Sequence, residues 1–311
     1  MKSLRKIFYK MLFKFLEKNK LKRKQMYICL SEVGIKKYKE LAALSARETA
    51  EKKEFPYFIS IACIIKNEGP YLKEWIEYHK LIGVEHFYVY DNESDDNTKE
   101  ILKPYIDSGL VTYTLFPGKN MQDRAYEHCS KNFGNETKWL MVLDLDEFLV
   151  LKQKKNLKEF MADFSDCSQV SIHWVLYGSS GHEKTPVGGV LANFKAHADG
   201  VEFSPKSIFN PRTVVECGAH YMWVCGKWVN EDKEEFGKNK SSCPINKAQI
   251  NHYIIKSWEE FYNRKAPRGC VDTSFSFGED LRRYFDNVDH NEVTDDLMMP
   301  YVNELKSKGV L

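Results

Sequence analysis

Between residues 57 and 151 apolar and polar positions come in blocks, each apolar block closed by a polar cluster. The run "YFISIACIIKNEG" (57–69) is β-branched and apolar until Lys66-Asn67-Glu68-Gly69, the pattern of a strand buried on both faces. "PYLKEWIEYHKLIG" (70–83) places Pro at its start and Gly at its end, which suits the first turn and the termination of a helix. The alternation continues: "VEHFYVYDNESDD" (84–96) predicts a strand, "NTKEILKPYIDSG" (97–109) a helix, and "LVTYTLFPG" (110–118) a strand. "MQDRAYEHCSKNFG" (121–134) predicts a third helix and "WLMVLDLDEFLVL" (139–151) a fourth strand. Such an order predicts right-handed βαβ units, hence an α/β, Rossmann-like sheet, mixed or mostly parallel and flanked by helices. Ligands of such sheets bind beyond the carboxyl ends of the strands. Here those ends carry Lys66-Asn67-Glu68, Asp91-Asn92-Glu93, Pro117-Gly118 and Asp144-Leu145-Asp146.

After residue 151 the alternation weakens into mixed strands, loops and Gly-rich turns over 152–290, with 291–311 a C-terminal helix or tail. Upstream, 26–54 reads as a polar helical connector and 1–25 as a basic amphipathic helix. In the latter, Leu4, Ile7, Phe8, Met11, Leu12, Phe15 and Leu16 recur at helical spacing between lysines. Its apolar runs are too short and too charged to span a bilayer. It suits the anionic inner face of a membrane, where each basic residue contributes about 1 kcal/mol, or else packs on its own domain.

Charge sharpens that contrast. The net charge is +2, yet residues 1–25 hold ten Lys and Arg against Glu17 alone, so the remainder is acidic. An acidic body argues against a nucleic-acid partner. Hydrophobic residues at 43% and charged residues at 29% describe an ordinary globular chain. Eight cysteines without a CxxC pair read as reduced thiols, in keeping with a cytoplasmic chain. GxGxxG and GxxxxGK[ST] are both absent, which takes most of the weight from the dinucleotide and P-loop readings.

The chemistry concentrates at 144–147. On a continuous strand, residues i and i+2 point to one side, so Asp144 and Asp146 would present their carboxylates together while Leu145 turns inward. A divalent cation relieves the repulsion of such a pair, and hard oxygen ligands favour Mg²⁺ or Mn²⁺. A strand that simply ends in solvated or capping acids would give the same residues.

At this point the chain resembles the glycosyltransferases of family 92, on a GT-A, family 2-like fold. The resemblance spans about 57–290 and rests on "IIKNEGPYLKEWIEYHKLIGVEHFYVYDNESDDNT", "KWLMVLDLDEFLVL", "WVLYGSSGH", "KSIFNP" and "NHYIIKSWEEFYNRKAPRG", in that order. It implies a nucleotide-sugar-binding half over 55–151 and an acceptor-binding, catalytic half over 152–290 of one domain. It implies Mn²⁺ or Mg²⁺ on Asp144, Asp146 and His252, and a nucleotide-sugar, UDP-linked, beside Asn67, Glu68, Asp91, Asp144 and Gln122. Lys256, Arg264, Lys265 and Arg268 would counter the diphosphate charge, with Lys256 and Arg268 in the donor site. Alternatively, Asn67 and Glu68 shape a turn, Asp91 and Gln122 cap helices, and the basic residues form a solvated face. An inverting transfer needs a carboxylate base, for which Glu183 and then Asp272 are the candidates.

Animal members of the family carry an N-terminal membrane span. This chain shows the basic helix instead, so it resembles the bacterial type: cytoplasmic, peripheral on the inner membrane face, and building lipopolysaccharide or another surface polysaccharide on a glycan or lipid-linked acceptor. The competing readings are a non-catalytic sugar- or nucleotide-binding protein on the same fold and a metal-dependent nucleotidyltransferase, which would release pyrophosphate.

Overall fold

Apolar blocks without internal alternation arise where both faces of a strand are covered, and this chain builds a separate core on each face. In β1 (Tyr57–Ile65), Ile59, Ile61, Cys63 and Ile65 face one core while Ala62 faces the other. In β2 (His86–Asp91), Phe87 and Val89 share the first core and Tyr88 and Tyr90 the second. β4 (Thr137–Val142) divides the same way, Trp139 and Met141 against Leu140 and Val142. The side-chain period of two thus serves two apolar layers at once.

The computed structural model describes residues 19–238, 242–269 and 280–311. Helices α1 (Lys20–Ala42) and α2 (Leu44–Ala50) precede β1. Then α3 (Gly69–Leu81), β2, α4 (Thr98–Asp107), β3 (Val111–Leu115), α5 (Gln122–Phe133) and β4 follow as the blocks predict. β5 (Glu147–Leu151), α6 (Leu157–Ala162), β6 (Gln169–Leu176), α7 (Val190–Asn193), β7 (Ala196–His197) and β8 (Glu202–Phe209) open the second half. It continues through β9 (Val214–Glu216), β10 (Trp223–Val224), β11 (Trp228–Asn230), β12 (Ala248–His252) and a helical run over 258–268. The chain ends in α8 (Leu281–Val288), β13 (Val293–Thr294) and α9 (Met299–Ser307).

Nine strands form one sheet in the order β3-β2-β1-β4-β8-β6-β12-β5, with β11 also on β6. The pairs among β1 to β4 are parallel, as are β6 with β12 and with β11; β8 runs antiparallel to both β4 and β6, and β5 to β12. The expected mostly parallel, mixed α/β sheet is therefore present. Ile65 pairs with Asp91 and Asp91 with Leu115, so the carboxyl ends of β1, β2 and β3 finish level.

Two expectations are corrected. The predicted strand 139–151 breaks at 143–146 into β4 and β5, so Asp144 and Asp146 sit on a turn, not at i and i+2 of one strand. Leu145 still turns into the core, 3% exposed. The boundary between the basic segment and the connector falls inside α1, whose N-cap Asn19 accepts from the backbone of Leu21 and Lys22. The connector is also docked: Gln25 Nε2 donates to the Val224 carbonyl at 2.7 Å. Residues 1–18, most of the basic helix, lie outside the described residues. Among the described residues no helix is long and apolar enough to cross a membrane. At the other terminus α9 buries Val302 and Leu305 in the first core.

Candidate functional site

The level strand ends open on a cleft of about 830 Å³, a size typical of small-molecule sites. Ile65, Lys66 and Glu68 line it from the end of β1, Asn92 and Glu93 from β2, Gly118 to Gln122 from the loop after β3, and Asp144 to Asp146 from the β4–β5 turn. The second half contributes His220, His252, Lys265, Arg268 and Gly269. Local geometry fixes the first wall. Gly69 approaches the loop after β2 so closely that a Cβ would lie 2.2 Å from Asn97 Oδ1, and its N–H donates to Asp96 Oδ2 at 3.0 Å. Asn67 adopts a left-handed φ of 55° and accepts from the Asp95 N–H at 2.8 Å.

Each acid of "DLDE" has a different partner. Asp144 Oδ2 accepts from Lys206 Nζ at 2.7 Å, and its Oδ1 from Gln122 Nε2 at 2.9 Å and the Tyr126 hydroxyl at 3.3 Å. Asp146 Oδ2 accepts from Lys265 Nζ at 2.6 Å, and its Oδ1 lies 3.7 Å from His252 Nε2. Burial pushes the Asp146 carboxyl up, but Lys265, then His252 and Lys256, outweigh it and hold the group well below the usual carboxylate range. Glu147 is wholly buried, 3.5 Å from Lys206, and its Oε2 accepts from the Asp144 N–H at 3.0 Å. Burial pushes the Glu147 carboxyl up despite Lys206, which accords with Lys206 lying closer to Asp144. Lys206 is held above its ordinary range: burial lowers it, and Asp144 and Glu147 more than offset that.

His252 ends β12, in register with Glu147 of β5 and Leu176 of β6, and that pairing sets it beside Asp146. Burial pushes its imidazole down to about 4, so it is neutral near pH 7, and among the described residues its buried Nδ1 has no hydrogen-bond partner. A neutral imidazole beside a carboxylate suits a divalent cation. The third expected ligand does not join them, because Asp144 is turned to Lys206. Among the described residues no three His, Cys, Asp or Glu side chains are placed to hold a metal ion.

The remaining expected residues divide. Glu68, Gln122 and Arg268 line the cleft, Arg268 paired with Glu68 and donating to the Lys66 carbonyl at 3.2 Å. Asp91 is not among the lining residues. Its Oδ1 accepts from the Ser94 N–H at 2.8 Å and its Oδ2 from the Tyr113 hydroxyl at 2.7 Å, so it shapes the loop beneath the wall. Asn67 likewise braces that loop, and its carbonyl accepts from Arg264 at 2.8 Å. Lys256 lines a neighbouring cavity instead. Glu183 stands outside the cleft, exposed and bound by both terminal nitrogens of Arg282 at 3.0 Å, which lowers its carboxyl. Asp272 lies outside the described residues. Lys206, Tyr126 and His220 join the site without a motif that marks them in the sequence. A lysine inside the strand-like "EFSPKSIF" was the available signal, since a buried lysine requires an acid partner; His220 offered none.

The model of Glycosyltransferase family 92 matches residues 59–299. Glycosyltransferase family 92 protein RCOM_0530710 of Ricinus communis is 28% identical over 239 residues, covering 72% of this chain and 41% of the relative. The Arabidopsis thaliana galactan beta-1,4-galactosyltransferase GALS3 is 28% identical over 135 residues, 40% of this chain and 27% of that one. Staphylococcus aureus TarS 1–349 in complex with UDP superposes with a TM-score of 0.33 at 17% identity, covering 50% of this chain and 47% of that one. The chain thus spans about two fifths of the length of the family 92 relative.

Proposed function

The chain belongs to glycosyltransferase family 92, and from that premise we propose that it transfers a hexosyl group from a UDP-linked sugar to a hydroxyl of a glycan or glycolipid. The observation that carries this reading is the cleft itself. Asp144 and Asp146 line a space of about 830 Å³ at the ends of the parallel strands, together with Lys265, which donates to Asp146, and Arg268, which pairs with Glu68. These two cations at the cleft suit a diphosphate, and the loop 118–122 with Asn92 supplies polar groups for a nucleoside. A galactan acceptor and a galactosyl donor are drawn from the name of the Arabidopsis relative.

In the proposed reaction the acceptor oxygen attacks the anomeric carbon, the bond from that carbon to the β-phosphate oxygen breaks, and UDP departs with the electron pair. A base takes the hydroxyl proton, and attack opposite the leaving group inverts the centre. Lys265 and Arg268 offset the charge that grows on the departing diphosphate. Of the two candidate bases, Glu183 is held by Arg282 outside the cleft; Asp272 is the other. Metal use stays within the proposal: Asp146 and His252 would give two ligands for Mn²⁺ or Mg²⁺, and Asp144 a third only by leaving Lys206. We further propose peripheral attachment to the cytoplasmic membrane face through residues 1–25, in surface polysaccharide synthesis. Anionic liposomes that retain the full chain no better than one lacking 1–25 would sink that attachment.

The test is calorimetric titration of UDP, UDP-galactose and UDP-glucose with and without Mn²⁺, for wild type and Asp146→Ala. One UDP-sugar binding wild type and lost in the variant supports the donor site, and dependence on Mn²⁺ adds the metal. Binding indifferent to Asp146 overturns the assignment of the cleft.

A further inference from the structure

Next to the cleft lies a second cavity of about 410 Å³, between the start of α3 and the helical run 258–268. The two share their walls: Arg264 lines the second cavity and Lys265 the cleft, while Glu68 lines the cleft and Pro70 and Tyr71 the cavity. Its sides are largely apolar, with Tyr71, Pro186, Val190 and Phe194, and its polar lining comprises Lys256, Arg264, Glu259, Glu260, Asn263 and Thr185.

One group in it is out of place. Lys256 is 6% exposed and held at a left-handed φ of 56° between β12 and the helical run. Buried lysines are stable when paired. Yet among the described residues its ammonium has neither a hydrogen-bond nor an ion-pair partner, only the face of the Tyr71 ring at 4.5 Å. The acids around it are engaged elsewhere. Glu74 accepts from the N–H groups of Val190 and Leu191 at 2.7 and 2.9 Å, Glu260 lies 3.1 Å from Arg264 Nε, Glu259 accepts from the Thr185 N–H at 2.8 Å, and Asp146 belongs to Lys265. A strained, buried lysine without a direct ion-pair partner among the described residues, in a cavity whose apolar walls it shares with Arg264 and with two engaged glutamates, suits an anion carried on an organic body.

We propose that this cavity binds the carboxylate or phosphate of an anionic sugar, with Lys256 as its counter-ion and Tyr71 and Phe194 against the sugar's apolar face. Resting on the glycosyltransferase reading, this makes an acidic glycan the acceptor class, held one wall away from the donor.

The test titrates the full chain with glucuronate, glucose 6-phosphate and glucose, with UDP measured in the same samples. At least one of the anions is expected to bind tenfold or more tightly than glucose, and the tighter of the two names the source as carboxylate or phosphate. Lys256→Met should reduce that binding to the level of glucose. Asn263→Trp, at an exposed position, should do the same by filling the cavity, and it decides the matter if the lysine variant does not fold. Anions that bind no better than glucose, or as tightly to Asn263→Trp as to wild type, overturn the proposal. UDP binding without anion binding sinks the cavity alone. Anion binding without UDP binding sinks the donor reading and, with it, the acceptor role.

Discussion

Two buried acid–base clusters on either side of β4 use the same kinds of residue to different ends. Beneath α2, Glu48 and Arg212 are both nearly buried, and every donor direction of the guanidinium is used. Arg212 Nε and Nη2 donate to the two Glu48 oxygens at 2.7 and 2.9 Å, while Nη1 and Nη2 also reach the carbonyls of Gly134, Thr137 and Lys138. Asn210 completes the set by donating to Glu48 Oε2 at 2.9 Å. In the cleft wall Asp144, Asp146 and Glu147 also meet cations, but Glu147 Oε1 and His252 Nδ1 have no hydrogen-bond partner among the described residues, and the two aspartates face open space. A closed network fastens one element to another. An open one, with capacity to spare, has a ligand still to receive.

That contrast can be broken at either end. The largest expected effect is on the closed side: Arg212→Ala leaves the buried Glu48 with only Asn210 and the half-exposed Lys53, 3.2 Å away, and should cost about 3–5 kcal/mol of stability in denaturant titration. UDP binding per folded molecule should be unchanged, and a loss of binding at unchanged stability would reverse the roles assigned to the clusters. On the open side, Asp146→Ala should lower turnover on the order of 10²- to 10³-fold, with the melting temperature moving far less than for Arg212→Ala. Equal thermal losses in the two variants would make Asp146 a structural residue.

A pH titration sharpens the comparison. Burial raises the Glu48 carboxyl, but Arg212 outweighs it and holds the group below its ordinary 4.5. A depressed folded pKa gives stability that is present above about 4.5 and lost as the pH falls through the folded value. In Arg212→Ala burial is opposed only by the hydrogen bonds from Lys53 and Asn210, so the Glu48 carboxyl should rise and the loss of stability on acidification should shrink. Stability profiles that stay parallel would show that the pair is not the source. The smallest effect is expected at Glu183→Gln. Its carboxylate is solvent-exposed and outside the cleft, so turnover and stability should match wild type. A large fall in turnover would restore it as the base.

Much of the first half was legible because both signals there are short in range. β-branched blocks closed by Gly, Pro and acids set β1 to β4 and the helices between them, and the parallel topology put their polar ends on one side. The same reasoning misjudged 139–151, since a buried run that turns between two strands has the composition of one long strand. It also read Asp91 and Asn67 as donor residues, because a polar group at a strand end looks alike whether it faces a ligand or ties down the next loop.

What the sequence determined alone was the order of elements, the two-sided burial of the parallel strands, and the collection of acids at their carboxyl ends. What only the tertiary structure decided was which cation meets which acid. Lys206 reaches Asp144 across 62 residues and Lys265 reaches Asp146 across 119, while Lys256, nine residues before Lys265, makes no ion pair among the described residues. Local propensities act over a few residues, whereas these contacts depend on where β8 and β12 enter the sheet, and that is fixed by register and by the burial of both faces.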